Sequence, residues 1–390
     1  MTEPLYRQFL NPADIARWTD KYFSRTRKTV EANGECTATY AVFLRRPSVM
    51  ACDLAIDWLK SVAAKQGFEI TITPAFETGA PVGAGEPLLF YSGPFSKLAE
   101  LETHLLQKIG PVCVAAHNAR DMVKELPSIP MIEMSARHCA GFEMAEMMAY
   151  AAKAGTLAAR LTDPAAKGFI GTSTDGGAGF FESKIGLGTM PHALIGYAGS
   201  TLKAAQMYRA ANPDADFTVL PDFYGQEVTD SIEVCRAFPE DAAAGRLKFR
   251  LDTHGGRYIE GLDKPLSYAV IDRNAPDTLH TYLSDTDQTH LLGEGVSAAA
   301  IWHFREQMDR AGFPNVGIIG SSGFGPDKCR IMRMAKAPLA LVGTGSFLPD
   351  KWSETYATAD VIQYGETYRV KKGREWLIHR YKARLAKKAV

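Results

Sequence analysis

The chain has 390 residues, 46% of them hydrophobic and 23% charged, the composition of a globular protein with a full-sized core rather than of a disordered or fibrous one. Lys plus Arg and Asp plus Glu both number 44, so no overall field draws the chain to nucleic acid or an anionic membrane, and any anion it binds must be held by a local site. Six cysteines, Cys36, Cys52, Cys113, Cys139, Cys235 and Cys329, show neither CxxC nor metal-like spacing, which predicts reduced packing residues and no dedicated metal site.

At the N-terminus, "MTEPLYRQFLNPADIARW" lacks the basic-then-apolar pattern of a secretory leader, and no apolar run approaches the roughly 20 residues needed to span a bilayer. A cytoplasmic protein is expected. Residues 10–32 and 96–123 read as helices, while "FEITITPAF" (68–76) and "PLLFYSG" (87–93) read as strands joined by the turn-rich "ETGAPVGAGEP" (77–87). This mixture predicts an α+β domain over 1–128, joined by the C-terminal residues 350–390.

From about residue 129 short apolar runs alternate with helical patterns. The runs are "IPMIEM" (129–134), "GFIGTS" (168–173), "IGLGTM" (185–190), "DFTVLPD" (216–222), "LKFRLDT" (247–253), "NVGIIGSS" (315–322) and "LALVGTGS" (339–346). Alternation of this kind argues for parallel βαβ units, so the predicted fold class is α/β, an irregular (β/α) barrel over 129–349 with an additional α+β sandwich domain. Most runs end in polar or glycine-rich residues, and in such a sheet ligand chemistry gathers at the carboxyl ends of the strands.

Four of these ends are candidates in their own right. "GTGS" (343–346) and the preceding "GSSGFGPDK" (320–328) suit a phosphate, because glycines let backbone N–H groups approach an anion closely; tight turns without a ligand are the plainer reading. Arg250 and Asp252, at alternate positions of a strand, share a face. They could hold a carboxylate and a ribose hydroxyl or Mg²⁺-linked group, or simply pair with each other. His192, in "GTMPH", could accept a phosphoryl group as a neutral imidazole if a carboxylate such as Asp222 fixed its tautomer.

With these residues in place, the chain resembles the nicotinate phosphoribosyltransferase family of type II phosphoribosyltransferases. The likeness lies in "TDKYFSRT" (19–26), "GTMPHAL" (188–194), "RLDT" (250–253), and "VGTGS" (342–346) followed by "ETYRVKKGRE" (366–375), and it looks nearest to the short archaeal-type members. It implies a nicotinate phosphoribosyltransferase that forms nicotinate mononucleotide and pyrophosphate from nicotinate and phosphoribosyl pyrophosphate in NAD biosynthesis. The same resemblance implies Mg²⁺, ATP hydrolysis through phosphorylated His192, and a homodimer with shared active sites. It further implies catalytic His192, Asp222 and Asp252, a pyridine site of Tyr22, Met134, Arg137, Thr172, Ser173 and Arg250, and phosphate contacts from Ser322, Gly323, Gly343, Thr344, Gly345, Lys371 and Lys372.

Ser173 falls where nicotinamide enzymes of the family carry an aspartate, so a hydroxyl there favours the acid over the amide. Three positions depart from the family's pattern: Met134 replaces an aromatic, His138 an arginine and Gly225 a second acid. Another base, nicotinamide or quinolinate, or a non-catalytic protein that binds NAD precursors, are the alternative readings. Lys371 and Lys372 read equally well as a solvated charge run.

Overall fold

A computed structural model describes residues 10–351 and 354–388. The first nine residues, read above as free of a leader pattern, lie outside the described residues. Thirteen strands run in chain order among those described: β1 (Thr37–Leu44), β2 (Ser48–Val49), β3 (Thr71–Pro74), β4 (Pro81–Val82), β5 (Pro87–Pro94), β6 (Met131–Glu133), β7 (Phe169–Thr172), β8 (Thr218–Val219), β9 (Lys248–Leu251), β10 (Gly317–Gly320), β11 (Leu341–Thr344), β12 (Ala357–Tyr364) and β13 (Thr367–Tyr368). They divide between two compact units, one of residues 10–120, 139–164 and 348–388, the other of 121–138 and 165–347. The helix Phe142–Arg160, which the alternating pattern reads as part of the second domain, counts with the first unit.

The first unit is built on an antiparallel sheet in the order β13-β12-β1-β5-β3. Strand β1, "TATYAVFL", is buried at every position after Thr37 because both of its faces are covered. Ala41, Phe43, Phe90 and Ile362 form one face, packed with Leu377 and Trp376 of the helix Trp376–Lys388. On the other face Tyr40 stacks directly on its cross-strand partner Tyr91, with ring centroids 4.8 Å apart, so the continuous apolar run that a two-sided sheet demands is met by aromatics. The predicted pairing of "FEITITPAF" with "PLLFYSG" is present as β3 against β5. Between them β4 turns aside to pair with β2.

The predicted helix over 10–32 is two helices, Pro12–Trp18 and Lys21–Asn33. Thr19 separates them, its hydroxyl within hydrogen-bond reach of both the Ile15 and the Glu100 carbonyl oxygens. The helix Phe95–Glu125 continues through Gly110 and Pro111.

In the second unit six parallel strands lie in the order β7-β6-β11-β10-β9-β8. Helices follow them in sequence, Glu227–Ala237 after β8, Lys264–Asn274 and Ala298–Arg310 after β9, Pro326–Met334 after β10. Phe249 of β9 meets Phe304 of the helix Ala298–Arg310 edge to face at 5.8 Å, an apolar contact between sheet and helix layer. One expected strand does not form. The run "IGLGTM" is irregular, because Gly186 donates its N–H to the Asp175 side chain and only Leu187 reaches β7, through the Thr172 carbonyl at 2.7 Å.

Candidate active site

All six strands of the second sheet run the same way, so the residues that follow them share one edge. Register sharpens this: Thr172 of β7 is level with Glu133 of β6, and Glu133 with Thr344 of β11. Gly320 of β10 is level with both Val342 and Leu251. Ser173, Met134, Gly345, Ser321 and Asp252 therefore begin the loops of a single rim, joined by Asp222 three residues beyond β8.

The histidine and the arginine meet there through "GTMPH" itself. Arg250 donates from Nη1 to Thr189 Oγ1 at 2.5 Å, three residues before His192 in the chain. His192 Nε2 stands 3.0 Å from both carboxylate oxygens of Asp222. The Asp222 side chain is 8% exposed and that of His192 42%, so a sheltered acid holds one nitrogen of an open ring and leaves Nδ1 for chemistry. Burial pushes the Asp222 carboxyl above its ordinary value, the bond from His192 works the other way, and the Asp252 charge adds to the rise.

Asp222 is itself held in place. Arg257 donates to its backbone carbonyl at 3.0 Å and to Glu227, a fully buried acid that also accepts the Thr253 hydroxyl at 2.9 Å and the Glu260 amide at 3.2 Å.

Arg250 and Asp252 share a face of β9, as the two-residue period predicts, with Nη2 and Oδ2 3.8 Å apart. Burial lowers the Arg250 pKa from its ordinary value; the Asp252 and Asp222 charges oppose that and the Arg137 charge reinforces it. Arg250 Nε is buried and meets no acceptor among the described residues. Asp252 takes the Ser321 hydroxyl at 2.9 Å, which ties β9 to the loop after β10.

The remaining candidates follow the rim. Ser173 donates its amide to the Glu133 carbonyl at 2.9 Å. Thr172 donates its hydroxyl to the Glu133 carboxylate, which also accepts the Ser135 amide at 2.6 Å. Met134 has its sulfur against Gly343, where a Cβ would come within 2.6 Å, and Gly345 leaves the same kind of room for the His138 ring. Arg137 is exposed on the short turn after Met134. Thr344 is buried and donates to the Phe324 carbonyl at 2.9 Å, while Ser322 and Gly323 both adopt positive φ, 72° and 68°. Tyr22, 61% exposed on the helix Lys21–Asn33, and exposed Lys371 and Lys372 lie in the first unit, not on this rim.

Buried charges escaped the sequence reading, Glu133 and Lys328 of the rim among them. Glu133 sits inside the apolar "IPMIEM", where one acid in an otherwise apolar strand was the available signal. Lys328 closes "GFGPDK" in the first turn of a helix, the end where a cation is disfavoured, and that misplacement was the clue. Its Nζ donates to the Ser322 carbonyl at 2.7 Å. Among the described residues no group of three His, Cys, Asp or Glu side chains is placed to hold a metal ion, and no helix is long and apolar enough to cross a membrane.

No protein-family model matches the sequence, and no curated protein is significantly similar to it. Solved structures do share the fold. The nicotinate-nucleotide pyrophosphorylase of Pyrococcus furiosus is similar with a TM-score of 0.68 at 20% identity, over 93% of this chain and 79% of that one. Human nicotinic acid phosphoribosyltransferase is similar with a TM-score of 0.59 at 16% identity, over 90% and 75%. The nicotinate-nucleotide pyrophosphorylase of Ehrlichia chaffeensis gives 0.54 at 11%, over 90% and 98%. At these identities the likeness is one of fold: a mixed α/β chain with one parallel and one antiparallel sheet.

Proposed function

We propose that this chain is a phosphoribosyltransferase whose acceptor is nicotinate, forming nicotinate mononucleotide and pyrophosphate from phosphoribosyl pyrophosphate. One observation carries the reading: Arg250 reaches Thr189 of "GTMPH", and His192 of the same segment reaches Asp222, at one rim of a parallel sheet. The similar structures support it, since they are a nicotinate-nucleotide pyrophosphorylase and a nicotinic acid phosphoribosyltransferase. The fold that accompanies this reading is an irregular barrel in which residues 185–190 stand between β7 and β8, supported by the bond from Leu187 to Thr172.

Expelling pyrophosphate from C1 leaves an oxocarbenium-like sugar, so the work is to hold charge and to align the pyridine nitrogen, without a strong base. The exposed part of the Arg250 guanidinium and the hydroxyl of Ser173 orient the acceptor carboxylate. The loops at 322–323 and 343–345 offer backbone amides to phosphate oxygens. Mg²⁺ asks the protein for only one or two carboxylates besides phosphate oxygens, so Asp252 fits the role of its ligand. Bound with pyrophosphate, the ion would neutralise charge on the leaving group. His192 accepts the γ-phosphoryl group of ATP on Nδ1 while Asp222 keeps the proton on Nε2. Tyr22, Lys371 and Lys372 are kept as candidate ring and phosphate contacts of a cytoplasmic homodimer with shared sites.

The test is pyrophosphate release from phosphoribosyl pyrophosphate with nicotinate, nicotinamide or quinolinate, each with and without ATP. Release with nicotinate that ATP stimulates is expected. Preference for another base would move the acceptor, and release with none would leave a protein that only binds such molecules.

A further inference from the structure

The loop between β10 and the helix Pro326–Met334 is folded against the ordinary preference of its sequence. Ser322 and Gly323 both take left-handed backbone, φ 72° and 68°, which glycine adopts freely and serine does not. Two carbonyls of the loop are drawn inward. Lys328 Nζ donates to Ser322 O at 2.7 Å, and Thr344 Oγ1 donates to Phe324 O at 2.9 Å. The amides of Ser322, Gly323, Phe324 and Gly325 meet no acceptor among the described residues.

Lys328 is an unexpected residue to find at this place. It is 7% exposed, in the first helical turn where the backbone already presents its positive end, with its Nζ 4.6 Å from the centroid of the buried Phe324 ring. Burial pushes its pKa down to about 8, against the opposing pull of Cys329 and Asp252. Nothing in packing alone calls for an ammonium here. A methionine would fill the same space beside Phe324 without burying a charge.

We propose that Lys328 is the positioning residue of this loop: by holding the Ser322 carbonyl inward it turns the amides of residues 322–325 toward the phosphate groups of the substrate. It rests on the phosphoribosyl reading, and it assigns to Lys328 an action through the loop rather than contact with the substrate.

The experiment compares full-length wild type, K328M, K328R and the double variant K328M/S322G. Calorimetry with inorganic pyrophosphate and with phosphoribosyl pyrophosphate reads binding, and steady-state kinetics separates KM from kcat. K328M should bind both anions roughly 10- to 100-fold more weakly, the size of one charge-assisted hydrogen bond, with the loss in KM for phosphoribosyl pyrophosphate and not in KM for the acceptor. K328R, which keeps a donor, should stay within about threefold of wild type. Adding S322G to K328M should recover most of the loss, because glycine holds left-handed backbone unaided. K328M binding as wild type does, K328R falling as far as K328M, or no recovery in the double variant would each overturn the inference while wild-type binding left the reading beneath it standing. Should K328M fail to fold, K328R alone still decides, since a loss of roughly tenfold or more in its pyrophosphate affinity would overturn the inference. Wild type that bound neither anion would overturn both.

Discussion

Asp222 acts on His192 in a way that one atom can test. As a carboxylate it can only accept, so it fixes the imidazole proton on Nε2 and leaves a lone pair on Nδ1. In Asp222→Asn the amide can donate to Nε2 instead and move that proton to Nδ1. Phosphoryl transfer from γ-labelled ATP to the protein should then fall by about 100-fold or more, while transfer from phosphoribosyl pyrophosphate without ATP persists. Retained label would sink the role given to the pair. Arg250 makes a separate forecast from its planar guanidinium, 11% exposed beside Asp252. Lysine cannot present two parallel donors, so Arg250→Lys should raise KM for nicotinate by about 10- to 100-fold with a smaller change for phosphoribosyl pyrophosphate. Nicotinate titrations of the two proteins would settle the matter. Among these residues, His192, Arg250, Asp252 and Asp222 were readable because short polar groups follow apolar runs. Lys328 and Glu133 went unread, since a single charge leaves no periodic trace and its role shows only once the partners that fold against it, Ser322 and Thr172, are in view.

Secondary-structure elements were readable where propensity and packing agree. Strand β5 and the helix Phe95–Glu125 fall close to their expected bounds. "IGLGTM" misled because an apolar run beside glycines satisfies the strand pattern whether or not a ladder forms, and here its amides go to Asp175 and a single β7 carbonyl. The Gly-Pro pair inside the helix Phe95–Glu125 would ordinarily mark a break. Its reason is spatial: a Cβ at Gly110 would come within 1.6 Å of the Thr355 carbonyl oxygen, so backbone passes where a side chain would be. Gly110→Ala should cost about 3 kcal/mol, the upper end for overpacking, and a thermal midpoint unchanged from wild type would refute the contact. The same helix carries Glu102, whose carboxyl burial raises to about 8, aided by Asp360 and Asp20. A raised pKa means the folded chain binds the proton more tightly. This contribution is therefore complete below the ordinary carboxylate range, lost as pH rises toward 8, and constant above it. Glu102→Gln has no proton to lose. It should match wild type near pH 4 and exceed it at pH 9 by on the order of a few kcal/mol, as paired denaturation curves at the two pH values would reveal.

Across the chain, 44 positive and 44 negative side chains cancel, so any anion it binds must be held by a local site. The architecture built from these elements places a further demand on how the chain folds. The second unit is not continuous: residues 121–138 belong to it, 139–164 do not, and 165–347 do. Its early piece supplies β6, which lies inside the sheet between β7 and β11. Met131 donates its amide to Gly168 at 2.9 Å and Val342 donates to Pro130 at 3.0 Å, so both neighbours of β6 depend on a segment made before either of them. Alternating runs announce such a sheet in the sequence, but not strand order, because pairing is set by which apolar faces can be covered together and not by position along the chain. A fragment of residues 165–347 would retain β7 to β11 and most of their helices while exposing the edges of β7 and β11 to water. Unpaired inner edges and the uncovered apolar face beside them should deny it a cooperative thermal transition and leave it open to rapid proteolysis, in contrast to the full chain. A sharp transition with protease resistance in that fragment would mean that β7 and β11 can find one another without β6, and the six-strand order would then not be what holds the rim together.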